Sequence, residues 1–209
     1  FRFCMAVMSG IVVTDCTYLY FSDKFPLWES VYHGFFQTAS IITDNAFVTT
    51  GYPADWPTFV SLLLLLGSFF GGCVGSTCGG IKAIRFLLLY KQSVREARLL
   101  IRPSAQIAVK LGNHPIPDRV MQAVWGFYYL YIFSYCFFSL ALAATGVDLV
   151  TAFGSVAGCL NNMGIGLGET ASNFAPLNDT ATWLLTLSML VGRLEVFPLL
   201  LIFLPDFWK

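Results

Sequence analysis

The sequence predicts an all-α membrane protein built from two repeats of crossing helix, short re-entrant helix and crossing helix. Three observations carry that reading. Of its 209 residues 56% are hydrophobic and 11% charged, with a mean hydropathy of +0.69, whereas soluble domains are about half apolar and about a quarter charged. Its apolar runs come in two lengths. Some approach the roughly 20 residues that a helix needs to cross a bilayer, and others stop near the 10–14 typical of buried or re-entrant segments. The order long, short, long then occurs twice.

In chain order, the first unit covers residues 1–100. A span over 1–22 is interrupted only by Asp15 near its outer end. A short helix over 27–42 carries His33 and Gln37, and a polar run over 43–47 follows it. A span over 57–100 is broken by GGCVGSTCGG at 71–80. A basic linker over 101–118 leads into the second unit, 119–209. This has a Tyr- and Phe-rich span over 119–145, a short helix over 148–160, a polar run over 161–165 and a last span over 180–205 holding Arg193 and Glu195. Phe1 sits inside an apolar run with no charged region and cleavage site before it. It does not open a secretory signal, and the chain is expected to be a piece of a longer protein.

The two units align. GFFQTASIITDNAF (34–47) lies over AFGSVAGCLNNMGI (152–165), pairing Phe35 with Phe153, Ala39 with Ala157 and Ile42 with Leu160. Thr43 then meets Asn161, Asp44 meets Asn162 and Ala46 meets Gly164. Two repeats of parallel topology suggest rotational pseudo-symmetry about the membrane normal.

Charge gives the orientation. Eight of the 12 Lys and Arg are Lys82, Arg85, Lys91, Arg95, Arg98, Arg102, Lys110 and Arg119, which makes that segment cytoplasmic. The other side carries Asp23, Glu29, Asp44, Asp55, Asp148, Glu169 and Asp179 against Lys24. Two readings stay open: an acidic mouth that concentrates cations, or outer loops that are merely not basic.

Non-helical backbone at membrane depth is tolerated only where it lines water or is buried in protein. Both polar runs follow helices too short to cross, whose negative C-terminal ends point at the run. Rings of carbonyls in such a place replace the hydration shell of a cation. Thr43, Asp44, Asn45, Ala46 and Phe47, and Asn161, Asn162, Met163, Gly164 and Ile165, are therefore read as two segments of an ion filter. Ordinary outer turns are the alternative. In 71–80, the residues Gly71, Gly72, Gly75, Ser76, Thr77, Gly79 and Gly80 make a poor helix interior and suggest a hinge or gate. A close helix crossing built of small residues is the alternative. A phosphate-binding loop is excluded, because Gly80 is followed by Ile81 and Lys82 by Ala83. Arg193 is costly in a span unless it meets water or a partner. The carbonyls of the glycine-rich break are one candidate partner and an acid on a neighbouring helix is another.

His33 is expected to open the first short helix and satisfy a turn, and His114 to be a solvated loop residue. The six cysteines, Cys4, Cys16, Cys73, Cys78, Cys136 and Cys159, form no C-x-x-C and lie in apolar surroundings, which argues against a metal site or disulfide framework. No catalytic triad, paired-carboxylate site or nucleic-acid-binding face is present.

Six stretches carry a family resemblance: HGFFQTASIIT, GGCVGSTCGGIKAIR, DRVMQAVWGF, CLNNMGIGLGE, MLVGRLEVFPLL and PDFW. They resemble the bacterial Trk-type potassium uptake subunits of the Trk/Ktr/HKT superfamily over essentially the whole chain. That family has four helix–pore helix–helix units around one pore, and this chain resembles the last two, half of a pseudo-fourfold pore of the potassium-channel kind. The resemblance implies potassium uptake across the inner membrane, with potassium as substrate, no covalently bound cofactor and no enzymatic activity. It makes 43–47 and 161–165 the third and fourth filter segments, 71–80 the gating loop and Arg193 the pore-facing arginine below the filter. It also implies a homodimer in the lipid bilayer, gated by a cytoplasmic nucleotide-binding (NAD/ATP-responsive) regulatory subunit that Lys91 to Arg119 could meet. Passage could be channel-like or by proton symport. Two departures stand out. Ala46 occupies a position where Gly is usual, so either the backbone differs there or selectivity is relaxed, towards sodium permeation. Asp44 replaces a usual hydroxyl residue and is expected to strengthen cation attraction at the mouth. A lesser departure is Ile165, where Pro is usual. A non-conducting scaffold is the rival from another class.

Overall fold

The computed structural model describes residues 2–49, 51–72, 76, 78–102, 108–112, 114–194 and 208. Of the residues singled out above, Cys73, Gly75, Thr77 and Glu195 lie outside them, as do 103–107 in the linker and the last span beyond Leu194.

Seven α-helices are described: α1 (Arg2–Phe21), α2 (Leu27–Ile42), α3 (Thr58–Ser68), α4 (Ala83–Ile101), α5 (Asp118–Ala143), α6 (Leu149–Leu160) and α7 (Asp179–Leu194). Local chemistry sets their starts. Pro26, Pro57 and Pro117 stand just before α2, α3 and α5, where a fixed φ favours helix entry. The Asp148 side chain accepts from the Val150 N–H to cap α6, and Asn178 accepts from the Ala181 N–H at 2.8 Å, each satisfying a donor the helix leaves free. The all-α expectation has one local exception. The linker contains a two-residue hairpin, β1 (Lys110–Leu111) against β2 (His114–Pro115), with His114 exposed on it.

Each unit cradles its short helix. In the first, α2 packs against α1 and α3; in the second, α6 packs against α5 and α7. α1 and α5 are long and apolar enough to cross a membrane. α6 is the more enclosed short helix, with Thr151, Ala152 and every residue from Gly154 to Leu160 buried. Its small side chains let neighbouring backbones come close, the means by which helices associate where lipid gives no hydrophobic drive. A shared apolar cluster joins the units: Leu19, Ile41, Trp56, Val60 and Leu64 from one with Ala157, Met163 and Ile165 from the other. Outward, α5 presents exposed Tyr129, Phe133, Phe137 and Leu140, spaced at three and four residues as a lipid-facing stripe is.

α3 breaks where glycine appears. Phe69, Phe70 and Gly71 donate to the carbonyls three residues back, a tightened last turn. Gly71 then takes φ +57° and Gly80 φ +72°. The Ile81 N–H returns to the Phe69 carbonyl at 3.0 Å, so the two ends of the excursion lie side by side.

Candidate functional site

Both short helices end in the same turn. After α2, the N–H of Thr43 donates to Ala39 O at 3.2 Å and that of Asp44 to Ile41 O at 3.1 Å, while Asn45 and Ala46 share Ser40 O at 3.0 and 3.4 Å. After α6, Asn161 donates to Ala157 O at 3.0 Å and Asn162 to Cys159 O at 3.0 Å, while Met163 and Gly164 share Gly158 O at 2.9 and 3.0 Å. Every donor and acceptor in one set is the aligned residue of the other. Left-handed conformations fall on aligned residues too: φ is +55° at Asp44 and +58° at Asn162, +55° at Ala46 and +83° at Gly164. Gly164 adopts this freely, whereas at Ala46 it costs about 1–2 kcal/mol. The backbone at Ala46 is thus left-handed like that of its glycine-bearing partner.

The side chains differ more than the backbones. Thr43 Oγ1 donates to Ala39 O at 2.7 Å, and Asn45 Nδ2 donates to Thr43 Oγ1 at 2.9 Å. Phe47 is exposed in this chain, while Met163 and Ile165 are buried. Asn161 is fully buried and bridges two helices. The Tyr131 hydroxyl of α5 donates to its Oδ1, and its Nδ2 donates to Ser68 Oγ at the end of α3 at 2.6 Å. Neither Tyr131 nor Ser68 stands out in the sequence. A tyrosine in an aromatic-rich span carries no signal of its own, although a buried phenol does need a partner.

The glycine-rich excursion reaches both turns. Cys78 Sγ donates to the Thr43 carbonyl at 3.2 Å, and a Cβ on Gly79 would run into the Asn161 carbonyl. Asp44 is turned towards this excursion rather than out to the mouth, contrary to expectation. Both carboxylate oxygens are enclosed without a closed hydrogen bond, and the Gly79 N–H lies near them. Arg193 is exposed in the last described turn of α7. Its neighbour Gly192 packs on the Leu160 carbonyl so closely that a Cβ would collide with it, which places Arg193 next to the start of the second turn. His33 does not open α2. It lies within the helix, and its Nδ1 shares a hydrogen bond with Thr49 Oγ1 at 3.0 Å.

Two short helices with re-entrant loops, backed by long helices and related as aligned repeats, define a helical membrane pore protein. Residues 7–209 match the TrkH family of cation transport proteins, and the chain belongs to that family. It is 44% identical over its whole length to the Trk system potassium uptake protein TrkG of Escherichia coli (strain K12), covering 43% of that protein. It is 46% identical to the Trk system potassium uptake protein TrkH of Salmonella typhimurium, again covering 43%. The crystal structure of the potassium transporter TrkH from Vibrio parahaemolyticus superimposes on the whole chain with a TM-score of 0.92 at 44% identity, and the chain covers 44% of it. The chain thus spans less than half the length of these relatives, as a C-terminal-type part.

Proposed function

We propose that this chain supplies two of the four walls of a potassium path, used for uptake across a bacterial inner membrane. The observation that carries the reading is the repeated turn, with matching hydrogen bonds and left-handed residues at the ends of two short helices. Residues of alternating handedness can present successive carbonyls to one side, and carbonyl rings substitute for the hydration of potassium. Thr43 to Phe47 and Asn161 to Ile165 are the third and fourth filter segments. The excursion over 71–80 is the gate, since it touches the inner start of both segments. Arg193 contributes positive charge just below them. The relatives' names support potassium as the cargo and transport rather than catalysis as the work. The basic stretch from Lys82 to Arg119 is cytoplasmic, its part from Lys91 to Arg119 meets a nucleotide-binding regulatory subunit, and the complete protein is a homodimer.

A weakly selective, sodium-permeable path is the second reading, favoured by the left-handed alanine at position 46. Rubidium uptake by the intact four-repeat protein, in cells lacking their own potassium uptake, tests both. Competition by potassium but not sodium supports the first, and equal competition supports the second. No uptake, despite membrane insertion and with the regulatory subunit present, would leave a scaffold as the better reading.

A further inference from the structure

Beyond the filter turns, each loop runs outward along its own short helix, and the hydrogen bonds that hold it there repeat. In the first unit His33 Nδ1 meets Thr49 Oγ1 at 3.0 Å, and Gln37 Oε1 accepts from the Thr49 N–H at 3.3 Å. In the second, Thr151 Oγ1 accepts from the Glu169 N–H at 3.2 Å, and Ser155 Oγ meets Thr170 Oγ1 at 2.7 Å. Thr170 also donates to the Leu167 carbonyl at 2.9 Å, and Leu167 aligns with Thr49. His33 aligns with Thr151 and Gln37 with Ser155, each pair one helical turn apart and so on one face. Every filter segment is thereby fixed at both ends: by carbonyls of the helix terminus at its start, and by these two side chains at its outer limb.

The residue types differ because the gaps differ. In the second unit the limb lies against glycine: a Cβ on Gly154 would meet Leu167, and one on Gly158 would collide with the Ile165 carbonyl. Short hydroxyl side chains then suffice. The aligned residues in the first unit are Phe36 and Ser40. There the limb is met by the longer arms of His33 and Gln37. Gln37 is fully buried, and its Nε2 has no partner among the described residues. A long arm with one bonded end leaves more freedom than a close backbone contact.

We propose that His33 with Gln37, and Thr151 with Ser155, are positioning residues that hold the filter limbs and set potassium-over-sodium discrimination, with the segment braced by Gln37 as its compliant side. This rests on the filter reading above. The test is the ratio of sodium to potassium concentrations that halve rubidium uptake by the intact protein. Gln37→Leu should lower that ratio by about five- to tenfold, what the loss of one hydrogen bond of ordinary net strength does to a ratio of binding constants. Ser155→Ala should lower it less, because backbone contact still holds that limb. Maximal uptake should be largely kept in both. An unchanged ratio in both Gln37→Leu and Ser155→Ala at normal membrane abundance overturns the proposal, as does lost uptake at an unchanged ratio. If Gln37→Leu fails to reach the membrane, Ser155→Ala decides alone. A parent whose uptake potassium does not compete brings down the filter reading itself, and this inference with it.

Discussion

At the scale of single residues, the second filter position from the end of each loop shows what the backbone requires. Gly164 and Ala46 share a left-handed conformation, but only glycine is free of the steric cost. Replacing Ala46 by Gly removes about 1–2 kcal/mol of strain and gives back about 0.4–1 kcal/mol through the freer unfolded chain. The net gain expected is roughly 0.5–1 kcal/mol, read as a raised unfolding midpoint of the detergent-purified intact protein. Gly164→Ala should move the midpoint the other way by a similar amount, and equal midpoints for parent and Ala46→Gly would show that the strain is absent in the complete pore. That Ala46 was unusual was legible in the sequence, because a resemblance fixes where glycine belongs. The enclosure of the Asp44 carboxylate was not, since it depends on contacts with a distant part of the chain that its residue type does not announce. Nor was the bridge of Tyr131, Asn161 and Ser68, whose members come from three separate elements.

At the scale of elements, the order of long and short helices could be read from run length, and the break after α3 from its glycines. The register of the two short helices could be read from the fourteen aligned positions of 34–47 and 152–165, and the hydrogen bonds of both turns fall on those aligned residues. What the glycine-rich break packs against could not be read, because contacts to Thr43 and Asn161 join distant parts of the chain. Glycine at 79 is now explained by closeness rather than by hinge freedom alone: the Asn161 carbonyl occupies the place of a Cβ. Gly79→Val should therefore displace the excursion from the filter turn, with an overpacking cost of about 1–3 kcal/mol and a changed rubidium flux. The pair of measurements is thermal midpoint and uptake. An unaltered flux with a lowered midpoint would make the contact structural and remove 71–80 from the gate.

At the scale of the whole molecule, the two short helices are unequally covered. Most of α6, from Thr151 on, is enclosed by the two units together, whereas α2 leaves Trp28, Val31, Tyr32 and Phe35 exposed. Their spacing of three and four residues makes one apolar stripe, on a helix that a complete pore would enclose. The chain spans 43% of the length of its relatives, so the units missing from it are the natural cover for that stripe. On the proposed reading, two of four filter segments cannot complete a ring of carbonyls, and a cation entering would lack half of the ligands that replace its hydration shell. Residues 1–209 alone, inserted in vesicles, should therefore give no potassium-competed rubidium flux, while co-expression with the preceding two units should restore it. Phe35→Glu should prevent that restoration, since a buried unpaired carboxylate costs several kcal/mol, yet leave insertion of the separate halves unchanged. Flux from the chain by itself would mean that copies of it assemble their own ring, and restoration by the Phe35→Glu variant would place the missing units elsewhere.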